Sequence, residues 1–303
     1  MTALMEAAAS RLRVCLRGRV RGDVLLAPYN SFRIGGPALL FVEPADRDDL
    51  RAALHFAHAE GLSVHVLGGG SNTLFRDGGF KGLVIHMAAF RGLERQGDTV
   101  HAGAGVRISR LLAFCCREGL AGLEILSGVP GMVGGAVWGN AGAWGGATAD
   151  PLDWVDVLTS GGGIQRLIRA AIPFRYRFSG LPAGSIVLEA GFLLTPDDPG
   201  AIRRRISGYL VRRNASQPVE FRSAGSIFKN PPNDFAGRLV DLVGLKGTQI
   251  GQAKISERHG NYIVNLGGAR ARDVLALADL ARERVRAQTG IELELEIRVV
   301  GDE

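Results

Sequence analysis

Residues 127–146 read Ser-Gly-Val-Pro-Gly-Met-Val-Gly-Gly-Ala-Val-Trp-Gly-Asn-Ala-Gly-Ala-Trp-Gly-Gly. A shorter run, Gly68-Gly-Gly-Ser-Asn72, directly follows the partly alternating segment Leu62-Ser-Val-His-Val-Leu67, which reads as a strand. Glycine supplies 43 of the 303 residues, about 14 per cent against a usual share near 7 per cent, and 21 of them lie between Gly61 and Gly146. Glycine lets backbone approach a ligand closely or take positive φ. Two such loops cost much backbone entropy, and a contact that needs bare main chain would justify them. Successive N–H groups of Gly68, Gly69 and Gly70, with side-chain donors on Ser71 and Asn72, suit a diphosphate. The run is neither a P-loop, since no Lys-Ser/Thr closes it, nor a G-x-G-x-x-G turn. An ordinary tight loop is the competing reading. Trp138 and Trp144 pack on a flat ring or, more simply, on the core.

Around these loops the chain reads as a glycine-rich α/β stretch to about residue 195. Asp46–Gly61 reads as a helix with an acidic first turn and a closing glycine. Leu83–His86 and Val100–Ala104 read as strands, Ile108–Glu118 as a helix and Ser185–Leu194 as a further strand. Composition shifts at Pro196-Asp-Asp-Pro199, and an arginine-rich helix carrying Arg203–Arg205 and Arg212-Arg213 follows. Near the C-terminus Val274, Leu277, Ala278, Ala281 and Val285 mark one helical face. Ile291, Leu293, Leu295, Ile297 and Val299 then alternate with Glu292, Glu294, Glu296 and Arg298, the pattern of a strand with one buried face.

Composition excludes several classes. With 46 per cent hydrophobic residues the chain is too apolar for disorder, and no apolar run is long enough to cross a bilayer. The net charge of +6 divides evenly at residue 195, whereas a nucleic-acid binder concentrates its surplus on one element. An even spread fits small anionic ligands and argues against a nucleic-acid partner, and without a spanning run no membrane partner is expected. The cysteines, Cys15, Cys115 and Cys116, have neither metal-ligand spacing nor an even count, which points to a reducing compartment. Charged residues interrupt the N-terminus too early for a secretory signal, so a cytoplasmic protein is expected. His55 and His58 share a helix face without a third ligand and read as surface residues; no metal site is expected.

Seven motifs occur in order: Asn30-Ser-Phe-Arg-Ile-Gly-Gly-Pro-Ala38; Gly68–Asn72; Val129-Pro-Gly-Met-Val-Gly-Gly-Ala136 with Asn140-Ala-Gly-Ala143; Tyr176-Arg-Phe-Ser179; Ala224-Gly-Ser-Ile-Phe-Lys-Asn-Pro231; Gly244-Leu-Lys-Gly247; and Ser256-Glu-Arg-His259. From about residue 25 to residue 301 the chain resembles the UDP-N-acetylenolpyruvoylglucosamine reductase family of peptidoglycan precursor synthesis. The resemblance implies an α+β architecture: an FAD-binding fold of the vanillyl-alcohol-oxidase type in two α/β subdomains, then a C-terminal α+β substrate-binding domain. The expected division is an N-terminal helical extension (1–24), FAD subdomains 1 (25–84) and 2 (85–196), and a substrate domain (197–303). The short span between Arg177 and Leu194 resembles the compact subtype, without a mobile tyrosine-bearing insertion. Departures are small: Trp144 stands where tyrosine is common, Ala147 where an acid is common, and Asn30-Ser31 replaces a threonine-bearing pair.

The resemblance further implies non-covalent FAD, NADPH as co-substrate, a UDP-sugar substrate and no required protein partner. Its reaction delivers a hydride to C3 of an enolpyruvyl ether and a proton to C2. The implied cofactor contacts are Gly68, Gly69, Gly70, Ser71, Asn72, Gly128, Pro130, Gly131, Gly134, Gly135, Asn140 and Gly142. Ser226 matches the family's proton donor; read alone, it is a turn serine beside a glycine. Arg177 matches a carboxylate-gripping position, with Arg175 the rival that the motif sets aside. Glu296 matches the third catalytic position, although periodicity cannot separate it from Glu292 and Glu294 on a solvated acidic face. Tyr176, Lys229, Asn230, Arg238, Lys246 and His259 are the substrate-binding candidates, the basic ones because two phosphates need neutralising charge. An FAD-dependent sugar-lactone or alcohol oxidase of the same fold would share the glycine loops but not the Ala224–Pro231 segment. A non-catalytic nucleotide-binding module would not need Arg177, Ser226 and Glu296 together.

Overall fold

Helix α1, Thr2–Cys15, opens the computed structural model, which describes residues 2–303. Its apolar positions Ala9 and Leu12 are fully buried against the first sheet. That sheet runs in the order Arg19–Leu25, Pro37–Glu43, Phe80–His86, Val64–Leu67. The first pair is antiparallel and the others are parallel. Residues 19–24, expected within a helical extension, are therefore an edge strand of this sheet. Helix α2, Arg47–Ala59, makes the crossover between parallel strands. Asp46 starts it by accepting hydrogen bonds from the Asp48 and Asp49 amides, which satisfies two of the first turn's unpaired donors.

A second sheet has five antiparallel strands in the order Ile164–Ile168, Leu152–Leu158, Ile186–Leu193, Thr99–Gly103, Leu93–Gln96. Helices α3, Ile108–Glu118, and α4, Val133–Trp138, flank it. The two sheets share one apolar core that includes Leu40, Ile85, Val100, Val155 and Phe192.

Helix α5, Pro199–Ser216, leads to the C-terminal part. There α6, Ala236–Leu242, and α7, Ala271–Thr289, pack with a three-stranded sheet of Gln249–Ile250, Ala253–Ile255 and Ile263–Asn265. The apolar face read for α7 is the buried face. This second core also takes in Phe32, Ile34 and Leu74 from the chain's first quarter. Strand Arg298–Val300 closes the fold by pairing in parallel with Thr73–Phe75, beside the first glycine loop.

The continuous strand read for 291–299 is cut short. Leu293 and Ile297 are buried as the alternation requires. Only residues 298–300 form a regular strand, because the preceding stretch meets the Ser226 segment through a single bridge, Phe228 to Leu295. Trp144 also departs from the core reading: it is 40 % exposed, at φ +56°, and stacks on Tyr209 of α5 at 6.1 Å.

Candidate active site

Ser226 lies in an extended segment held on both sides. Gly225 turns the chain at φ +75°. Ile227 then donates to Asn261 O at 2.9 Å, and Glu296 and Lys229 are joined to the segment by Glu296 N–H to Ile227 O and Lys229 N–H to Glu294 O, both 2.8 Å. Asn261 fixes the register, accepting from Phe228 N and donating to Phe228 O. Ser226 stands opposite Tyr262 in an antiparallel bridge. Glu296 is thus joined to the Ser226 segment, at Ile227, through backbone pairing between stretches about 70 residues apart in sequence.

Arg177 arrives from the second sheet's side. Residues 175–178 form a tight hairpin, with Arg175 and Phe178 exchanging hydrogen bonds of 2.8 and 3.1 Å. Arg177 sits at its corner at φ +55°, a conformation uncommon for a residue with a Cβ. The Asn140 side chain holds the hairpin by donating to Arg175 O at 2.9 Å. Arg177 Nη1 donates to Gly142 O at 3.2 Å, and Nε stands 2.6 Å from Glu296 Oε1. The Nε–H is not aimed at that oxygen, so the contact is an ion pair rather than a directed hydrogen bond. Tyr176 bridges the same cleft, its hydroxyl accepting from Asn230 N at 3.2 Å.

Burial separates the three glutamates that periodicity could not. Glu292 and Glu294 are exposed, while the Glu296 side chain is 14 % exposed. Burial raises the Glu296 pKa above the ordinary carboxylate range, and Arg177 and Lys229 only partly offset it. Tyr262 is 6 % exposed, and burial raises its phenol too, against the charge of Arg213.

The glycine loops are laced to one another. A Cβ on Gly69 would fall 2.8 Å from Gly131 Cα, and Ser71 Oγ donates to Pro130 O at 3.0 Å. Among the described residues no protein acceptor meets the amides of Gly69, Gly70, Ser71 and Asn72. A Cβ on Gly135 would meet nothing within 4 Å. Unpaired main-chain donors suit a diphosphate, so Gly68–Asn72, Pro130, Gly131 and Gly135 are the residues that could hold FAD.

Other expected contacts have different work. Ser71 and Asn72 are not free side-chain donors: the first serves Pro130, and Asn72 Nδ2 donates to Glu296 O at 3.0 Å. Asn140 is 7 % exposed and fully used, because its Oδ1 accepts from Ala149 N. Gly134 donates to Ala104 O and lies against Ala104, where any Cβ would crowd that residue. Gly142 belongs to a small hairpin, its Cα hydrogen facing Gly146 O, and its carbonyl serves Arg177. Gly128 leaves room for the Arg213 side chain, which its Cβ would meet at 2.5 Å.

Among the substrate-binding candidates, Lys229 is ion-paired with Glu294, Arg238 with Asp234 and Lys246 with Asp241. The Asn230 side chain accepts from Ala236 N at the start of α6. His259 packs edge-on against Tyr262 and accepts from Asn261 N, while burial and the charge of Lys246 lower its pKa. Among the described residues no group of three potential metal ligands occurs.

Two site residues carry no strong sequence signal. Arg213, in the last turn of α5, has no carboxylate partner among the described residues; burial lowers its pKa as it stands between Gly128 and Tyr262. Tyr262 lies in an apolar run that reads as core. The proximity of Arg212-Arg213 to the Ala224–Pro231 motif is the one available hint.

The model "UDP-N-acetylenolpyruvoylglucosamine reductase, C-terminal domain" matches residues 217–300, and an FAD binding domain model matches residues 38–168. The UDP-N-acetylenolpyruvoylglucosamine reductase of Geobacter sulfurreducens is 46 % identical over 297 residues, covering 97 % of this chain and 98 % of the relative. The chain belongs to the UDP-N-acetylenolpyruvoylglucosamine reductase family.

The reductase of that name from Rubrobacter xylanophilus is 45 % identical, over 92 % of this chain and 95 % of the relative. The crystal structure of the Thermus caldophilus reductase superposes with a TM-score of 0.82 at 40 % identity, covering 93 % of this chain and 99 % of that one. A berberine bridge enzyme variant, 13 % identical with a TM-score of 0.50 over 63 % of this chain and 44 % of its own, shares the fold alone. The matched FAD domain spans both glycine loops. The chain is an FAD-containing oxidoreductase of α+β fold, as the resemblance implied, and the comparisons do not favour the oxidase alternative. No helix among the described residues is long and apolar enough to cross a membrane.

Proposed function

We propose that this reductase-family chain uses NADPH and bound FAD to reduce the enolpyruvyl group of UDP-N-acetylglucosamine-enolpyruvate, giving UDP-N-acetylmuramate in the cytoplasm. The observation that carries the reading is the convergence of Arg177 with Glu296, at 2.6 Å, beside Ser226. FAD, when bound, supplies the hydride that passes from NADPH to C3 of the enolpyruvyl ether.

Negative charge then grows on C2 and the carboxylate. Arg177 carries a permanent charge on a planar fork and binds that carboxylate more strongly as the charge develops. Ser226 protonates C2; a carbanionic centre is basic enough that a well-placed hydroxyl serves as its acid. Glu296, whose burial favours the protonated form, orients the developing enol beside Ser226. Arg213 has no carboxylate partner among the described residues, so its charge is available to an anionic group, whereas Lys229, Arg238 and Lys246 must exchange a carboxylate for phosphate before they can serve. Tyr176 and Asn230 close the cleft between the two halves of the site.

Ser226→Ala tests the assignment in separated half-reactions. Flavin bleaching by NADPH should persist at the parental rate. Reoxidation by the enolpyruvyl sugar nucleotide should slow by about 10²–10⁴-fold, the usual worth of a general acid. An unchanged reoxidation rate removes Ser226 from the mechanism.

A further inference from the structure

Tyr262 meets Ser226 from the side opposite Glu296. Directly opposed residues in an antiparallel pair project to the same face, with Cβ atoms about 5 Å apart. The bridge sets the two side chains on one face, and the Ser226 side chain is near enough to the phenol to act on its pKa, lowering it against burial. The backbone around Tyr262 is fixed by Tyr262 N–H to His259 O at 3.0 Å and Ser256 N–H to Tyr262 O at 2.8 Å, and the ring packs against His259 at 4.9 Å. A buried aromatic needing only its ring would be served by phenylalanine; a buried hydroxyl costs free energy unless it has a partner. Here the charged groups that act on that hydroxyl are Arg213 from α5, Glu296 from the C-terminal segment and Arg177 from the 175–178 hairpin.

Resting on the reductase reading above, we infer that Tyr262 and Ser226 form a two-residue proton relay, with Tyr262 restoring the proton that Ser226 gives to the substrate. As C2–H forms, the Ser226 O–H bond breaks and its electron pair stays on Oγ. The Tyr262 O–H bond then breaks to re-form the serine hydroxyl, and the phenolate recovers its proton from water. A phenol is a far stronger acid than an aliphatic alcohol, so the transfer runs downhill even though burial raises the Tyr262 pKa. Arg213 faces the transient phenolate and stabilises it. Tyr262 never touches the substrate; it acts through Ser226.

The test compares holoenzyme forms of the parent, Tyr262→Phe, Ser226→Ala and the double variant by stopped-flow absorbance. In Tyr262→Phe, bleaching by NADPH stays at the parental rate. Reoxidation by UDP-N-acetylglucosamine-enolpyruvate slows by about 10-fold or more, and its solvent deuterium isotope effect changes. In the Ser226→Ala background the same substitution adds nothing, since a relay has no second member without its first. A purely packing role would lower both half-reactions or the melting temperature, leave the isotope effect alone and add its cost to Ser226→Ala; that pattern overturns the relay. Failure of the reductase reading is recognised separately, because the parent itself would then not be reoxidised by the enolpyruvyl compound.

Discussion

At the scale of single residues, the arginine at the corner of the 175–178 hairpin combines an uncommon backbone with a demanding side-chain geometry. Its guanidinium serves Gly142 O and Glu296 at once, from a position that Asn140 anchors. Lysine at this position keeps the charge but loses the fork. Arg177→Lys should therefore reduce kcat/KM for the enolpyruvyl substrate by about 30-fold, equivalent to about 2 kcal/mol, with flavin reduction by NADPH unchanged. Ordered motifs singled out Arg177, Ser226 and Glu296 as candidates. Separating Glu296 from Glu292 and Glu294 by physics was not, because all three share one strand periodicity and only burial beneath the Arg177 hairpin distinguishes them.

At the scale of elements, the two glycine loops divide into positions that face protein and positions that face open space. Composition could not make that division, since glycine looks the same whether its missing Cβ leaves room for a neighbouring backbone or for a ligand. Gly69 faces the backbone of Gly131, while Gly135 in α4 faces nothing within 4 Å. Gly69→Ala is expected to lower the apo-protein melting temperature, because no flexible side chain can yield at that contact. Gly135→Ala should hold or raise apo stability, by up to about 1 kcal/mol from better helix propensity, while weakening FAD binding. Thermal unfolding with and without FAD checks both. A Gly135→Ala variant with parental FAD affinity would remove that residue from the FAD site. The same separation explains Ser71 and Asn72: their side chains point at Pro130 O and Glu296 O, partners dozens to hundreds of residues away in sequence.

At the scale of the whole molecule, the C-terminal strand Arg298–Val300 returns to Thr73–Phe75 and joins the substrate half to the loop-bearing half. Next to this closure His65 is half-buried between Phe75 and Phe80, its shielded Nε2 without a hydrogen-bond partner among the described residues. Burial first, and then the charge of Arg298, lower its pKa from 6.5 to about 4. A histidine depressed in this way stabilises the fold fully above pH 6.5, and that contribution fades as pH falls toward 4. Between pH 7.5 and pH 5 the parent should lose about 2 kcal/mol through this one residue. Urea unfolding at the two pH values should show a shallower acid loss in His65→Phe; an equal loss would assign the acid sensitivity elsewhere.

The sequence by itself determined the family and most of the elements. Helical and strand periods marked α3 and the buried face of α7, and the ordered motifs marked the family and the candidate flavin loops and catalytic residues. These are local matters, set by side-chain spacing and by the few residue types that can perform a given step. Tertiary structure alone decided which loop amides stay unpaired, that Asn72 and Asn140 brace the site, and that Arg213 and Tyr262 stand at its wall. Each of those depends on segments meeting across long stretches of chain, where burial and competition for hydrogen-bond partners, rather than residue type, settle what a side chain does.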